Sequence, residues 1–118
     1  MITSMPRIAI AADDFGGLVD TFRRKLGMPV IDLSERTLPS LGARIAMCVA
    51  PGGSNIELRS PGVESAPLSQ SLRRFLARRG AGLFALMLEA PDPNAEAEVL
   101  KARGLNVRQM GGFDVDKV

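Results

Sequence analysis

Glu57 stands in the middle of an alternating run, Ser54 to Pro61, that follows the turn Pro51-Gly52-Gly53. Ile56 and Leu58 share one side of that run; Asn55, Glu57 and Arg59 share the other. Period-two alternation marks a half-buried strand, so Glu57 faces either water or a pocket. The chain has no histidine. That removes Ser-His-Asp and Cys-His catalysis, imidazole proton transfer and His-ligated metals together. Carboxylates, Lys, Arg, one thiol and backbone groups are what remain. The thiol, Cys48, lies in an apolar stretch with no imidazole to activate it and reads as a buried, inert side chain. Arg73, Arg74, Arg78 and Arg79 carry enough charge for a phosphate, but a solvated helix face explains them more simply, and the last two suit a helix C-terminus. The pairs Gly16-Gly17, Gly52-Gly53 and Gly111-Gly112 lack the following Lys and Ser/Thr of a phosphate loop.

The elements that must position Glu57 follow from spacing. Arg7–Ala12 alternates and predicts a strand, with Ile8 and Ile10 on one face and Arg7, Ala9 and Ala11 on the other. Asp13 and Asp14 offer an N-cap, and Phe15, Leu18, Val19, Phe22 and Leu26 recur at helical spacing up to Gly27. Residues 28–33 read as an edge strand because Pro29 has no backbone donor. Residues 34–42 read as a polar, proline-containing loop, and residues 43–50 as a nearly continuous apolar strand paired with the Glu57 strand in a hairpin. After a linker come a short helix around Leu68, Leu72, Phe75 and Leu76, a strand over 82–90, a helix opened by Asp92 and Pro93, and a strand-like stretch over 105–110.

Composition sets the class. With 118 residues, 46% apolar and 24% charged, the chain is globular and sized for one core. No apolar run reaches the roughly 18 residues of a membrane helix, and no secretory signal precedes Arg7, so a cytoplasmic protein without membrane partners is expected. The net charge of +2, without Trp or Tyr and with five Phe, argues against nucleic acid as a partner. One cysteine permits no internal disulfide.

The chain repeats itself. The strand from Arg7, its acidic turn, its helix and Leu26-Gly27-Met28-Pro29-Val30 match the strand from Ala85, the Asp92 turn, its helix and Arg103-Gly104-Leu105-Asn106-Val107. Together with Ile56-Glu57-Leu58-Arg59-Ser60-Pro61 and Gly80-Ala81-Gly82-Leu83-Phe84-Ala85-Leu86, this order resembles the vicinal oxygen chelate superfamily: the glyoxalases, bleomycin-resistance proteins and extradiol dioxygenases, with lactoylglutathione lyase-like and methylmalonyl-CoA epimerase-like members nearest. The resemblance implies an α+β fold of paired strand-helix-strand-strand-strand modules, here one domain over 1–118 with module one at 7–61, a linker and helix at 62–80, and a partial second module at 81–110 whose last two strands are not evident. It implies a metal-bearing cup, with Glu57 at a ligand position, Arg7 in place of the first His, and Ala85, or Phe84 one residue off, in place of the second. Arg, Ala and Phe do not ligate metals, so the expected site holds no metal and no cofactor.

In that topology the first and fourth strands are neighbours. Arg7 and Glu57 can therefore pair across them, replacing the metal or gripping a carboxylate or phosphate, and Glu89 can enter the second half of the cup. The substrate-binding candidates are Arg7, Glu57 and Glu89. The expected function is metal-free binding of a small organic ligand. Two other readings stand beside it: a lyase or isomerase whose metal ligands are completed by a partner chain, and a structural dimerisation module. A homodimer is expected, because the 82–90 strand would leave an apolar edge open.

Overall fold

The computed structural model describes residues 1–53 and 55–107. Its secondary structure runs β1 (Ser4–Ala11), α1 (Phe15–Asp20), β2 (Val30–Asp32), α2 (Ser34–Leu41), β3 (Ala43–Cys48), β4 (Asn55–Pro61), α3 (Pro67–Arg79), β5 (Gly82–Glu89) and α4 (Pro93–Ala102). The five strands form one mixed sheet in the order β2-β3-β4-β1-β5. Contacts divide the described residues into a larger unit, Met5–Met87, and a smaller one made of Met1–Ser4 and residues 88–107.

In the larger unit, β3 and β4 form the expected antiparallel hairpin, and β1 lies parallel to β4. The register decides what surrounds Glu57. Ala9 of β1 stands opposite Glu57 and Ala11 opposite Arg59; on the other flank Met47 faces Glu57 and Ile45 faces Arg59. Side chains directly opposite across a ladder share a face. The two small alanines thus leave room for two long charged side chains on an otherwise apolar surface.

Helices pack on both faces of the sheet. On one, α1 packs Val19 onto Ala46 and Leu58, with Ile10, Phe15, Leu18, Phe22, Val30 and Ile56 around them. Asp14 caps α1 as its spacing predicts, accepting from Gly17 N at 3.0 Å. The helix then loosens into a π-helical turn over Thr21–Lys25, closed by Leu26 N donating to Thr21 O and Gly27 at φ 68°. On the other face, α3 seats Leu72 and Leu76 against Ala11 and Ala43, with Leu68, Phe75 and Phe84 beside them.

Residues 34–41 are a helix, not the loop their composition predicts. Asp32 Oδ1 accepts from Ser34 N at 2.9 Å and starts the turn, Glu35 suits the first-turn dipole, and Thr37, fully buried, donates Oγ1 to Ala43 O at 2.8 Å. Pro39 sits late in an eight-residue helix, where the missing donor costs one hydrogen bond instead of breaking a long ladder.

Gly42 ends α2 at φ 71°, and a Cβ there would collide with the Cβ of Ala66. Its carbonyl accepts from Ser69 Oγ at 2.5 Å, while the same hydroxyl accepts from Gly62 N at 2.8 Å, so this corner joins α2, the end of β4 and α3. Gly42→Ala meets both a left-handed φ and a clash. A loss of about 1–3 kcal/mol is expected from the overpacking alone. Urea unfolding with an unchanged midpoint would contradict this reading of the corner.

In the smaller unit, Asp92 and Pro93 open α4 as predicted, with Asp92 Oδ1 accepting from Ala95 N at 3.1 Å. Thr3 N donates to Glu89 O at 2.9 Å, and the Met1 amino group pairs with Glu96. Leu105–Val107 carry no regular structure, and the rest of the predicted strand, 108–110, lies outside the described residues.

Candidate functional site

The face of the sheet covered by α3 carries a row of three charges, Arg59, Glu57 and Arg7. Glu57 is 3% exposed and Arg59 2%, which is dry for ionised groups and requires pairing. Arg59 supplies it: Nε and Nη2 both reach Glu57 Oε1, at 3.2 and 2.9 Å. Residues two apart on a strand point the same way, so one strand provides both partners. The Phe84 ring covers the Arg59 guanidinium at 5.9 Å and packs edge-to-face on Phe75, with centroids 5.3 Å apart. Arg59 therefore combines an ion pair with a cation–π contact.

Arg7 comes from the neighbouring parallel strand. Its Nε lies 3.3 Å from Glu57 Oε2, close enough for strong charge attraction, yet without hydrogen-bond alignment. Its side chain is 25% exposed. The row thus runs from the covered end of the face, under α3, to a partly open end at Arg7.

Arg7 and Glu57 are brought together on adjacent strands. Glu89 is described with the smaller unit, where its Oε2 accepts from Ser4 Oγ at 3.1 Å. The sequence reading placed Arg59 on the correct face but gave it no part in the site. Its signal was present: a carboxylate and a guanidinium two apart, with Ala9 and Ala11 on the flanking strand. The arginines of α3 behave as a surface face. Arg73 donates to Gly62 O at 3.1 Å and Arg74 to Ser71 Oγ at 3.2 Å.

A metal does not fit this row. Glu57 presents one oxygen to Arg59 and the other toward Arg7, and Arg7 and Arg59 are cations that would repel a divalent ion. Among the described residues no three carboxylate, thiol or imidazole groups converge. A separate groove of about 350 Å³ beside α1 is lined by Phe15, Gly16, Val19, Asp20, Arg23, Arg24 and Asp32. Its charges are already committed: Arg24 pairs with Asp20 at 2.5 Å, which holds the guanidinium above its ordinary value, Arg23 donates to Val30 O, and Asp32 Oδ1 accepts from Ser34 N.

Cys48 is fully buried in β3, with its Sγ 3.6 Å from Met28 Sδ, and burial pushes the thiol up. The thiolate is disfavoured in the fold, so the unfolded chain ionises first. Stability from this group is full below the ordinary thiol value and is lost as pH rises above it. Native protein is expected to resist a disulfide reagent at mildly alkaline pH and to react with one equivalent in denaturing urea. Rapid native labelling would contradict the burial.

No protein-family model matches the sequence, and no curated protein matches it significantly. Solved structures do match. Methylmalonyl-CoA epimerase from Mycobacterium tuberculosis superposes with a TM-score of 0.69 at 24% identity, covering 97% of this chain and 73% of that one. A variant of the Streptomyces coelicolor methylmalonyl-CoA epimerase, in complex with 2-nitronate-propionyl-CoA, superposes at 0.66 and 24%, covering 90% and 73%. A hypothetical protein from Bacillus halodurans C-125 gives 0.66 and 24%, covering 86% and 68%. The chain therefore has the α+β, glyoxalase-like fold. The epimerases that share it are members of the vicinal oxygen chelate superfamily. Among the described residues no helix is long and apolar enough to cross a membrane.

Proposed function

We propose that this chain binds a small organic molecule at the Arg7 end of the charged row, without a divalent metal. The observation that carries the reading is the buried Glu57 held between two guanidiniums, where the fold's metal-bearing members would place a ligand. The likeness to an epimerase that holds an acyl-CoA analogue supports a small-molecule role for the fold. Arg7 and Glu57 are the proposed binding residues. Glu89 remains a candidate in its own unit. The test is a ligand-observed NMR screen of chelator-treated protein against small charged and neutral organic molecules. Binders displaced by one another are expected; a screen with no binder of any charge would end the proposal.

A second reading, self-association, rests on β5. This outermost strand among the described residues exposes Leu83 at 55%, Leu86 at 54% and Leu88 at 45%. Apolar edge strands recruit other chains. Sedimentation equilibrium at micromolar concentration is expected to show a dimer that Leu86→Glu weakens; a 12.6 kDa monomer would refute it.

A further inference from the structure

We infer that Arg7 is a receptor for a carboxylate group on the ligand, drawn into place by the charge of Glu57, which Arg59 holds by hydrogen bonds. This rests on the proposed small-molecule reading and names the class of molecule. The geometry is a chain of orientation. Arg59 Nε and Nη2 both land on Glu57 Oε1, and Oε2 is the oxygen turned toward Arg7. Oε2 meets Arg7 at Nε, the inner edge of the guanidinium. The outer edge, Nη1 and Nη2, makes no hydrogen bond to the described residues, and the side chain reaches solvent at that end. A guanidinium drawn by charge toward a carboxylate on its Nε side leaves its two terminal nitrogens as a planar fork, the shape that takes two oxygens of one oxoanion.

Charge selects the oxoanion. Glu57 is hydrogen-bonded to Arg59 and meets Arg7 only through an unaligned contact, so Arg7 is only partly compensated. A carboxylate completes that compensation with one charge. A phosphate dianion would overshoot it and bring a double charge near the Glu57 carboxylate. A neutral amide offers one acceptor and no charge. The expected order is carboxylate, then phosphate, then amide.

The probes are sodium propionate, propionamide and inorganic phosphate at matched ionic strength, titrated into the full chain labelled with nitrogen-15. The readouts are the arginine Nε–Hε signal of Arg7, assigned by its loss in Arg7→Lys, and the backbone amide signals of Ile8 and Glu57, which also report on binding in the variants. Propionate is expected to shift these signals saturably in the millimolar range, with propionamide leaving them in place and phosphate at least several-fold weaker. Arg7→Lys, with a backbone spectrum showing the fold intact, is expected to weaken propionate binding about tenfold, because it keeps the charge and loses the fork. Equal binding of propionamide or phosphate, or undiminished propionate binding by folded Arg7→Lys and Arg7→Gln, would overturn the inference. If neutral molecules bind in the general screen while propionate does not, the small-molecule reading stands and the carboxylate receptor falls.

Discussion

Glu57→Leu is expected to lower stability by about 3–5 kcal/mol, the range seen when a buried ion pair loses one partner. The loss comes from what stays behind. Arg59, 2% exposed and covered by Phe84, keeps its charge in a dry site, and Arg7 lies close by without the carboxylate that had drawn the two together. Arg59→Met is expected to cost a comparable amount, leaving Glu57 to depend on a poorly aligned Arg7. It also removes contacts beyond Glu57, so the Glu57 variant is the cleaner measurement. The double variant, Glu57→Leu with Arg59→Met, is expected to cost much less than the sum, since apolar replacement of both members of a buried pair is often near neutral. Arg7→Met costs the least of the singles, because its side chain already reaches water. Urea melts of the full cycle decide the matter, and additive losses would show that the residues do not share one interaction.

The second large effect is expected at Leu72, which is fully buried where α3 meets the sheet. Leu72→Ala is expected to cost about 2–5 kcal/mol. Its neighbours Ala11 and Ala43 are too short to collapse into the space, which favours the upper part of that range. Leu83→Ala, on a side chain 55% exposed, is expected to stay within about 0.5 kcal/mol. Similar shifts for the two variants in parallel thermal melts would mean that α3 does not pack as described. The packing matters to the site because α3 closes the Arg59 end of the charged row and leaves the Arg7 end as the approach.

Much of this arrangement was legible in the sequence, for identifiable reasons. Alternation at residues 7–12 and 55–61 fixed two strands, and the resemblance placed them side by side, so the approach of Arg7 to Glu57 was foreseeable. Asp14, Asp92 and Gly27 acted as the punctuation their types predict. Pro29 correctly demoted β2 to an edge. What escaped was set by tertiary partners. Helix α2 looks like a loop because Pro39 and its polar residues weaken local propensity, while its support comes from Asp32, the buried Thr37 and the Gly42 corner. Arg59 carries no local sign of burial; the cover of Phe84 and the alanines of β1 make it a buried partner. Phe84, which the resemblance offers only as a non-ligating occupant of the second His position, covers Arg59.

The proposal that the ion-paired row of Arg59, Glu57 and Arg7 takes no metal is the central one. Elemental analysis of protein purified without affinity metal and dialysed to equilibrium tests it directly. The expected result is no transition metal at a significant fraction of the protein concentration, before or after exposure to zinc, nickel, iron or manganese followed by dialysis. Retention of one equivalent of any of these by the wild-type chain, lost on Glu57→Gln, would contradict it.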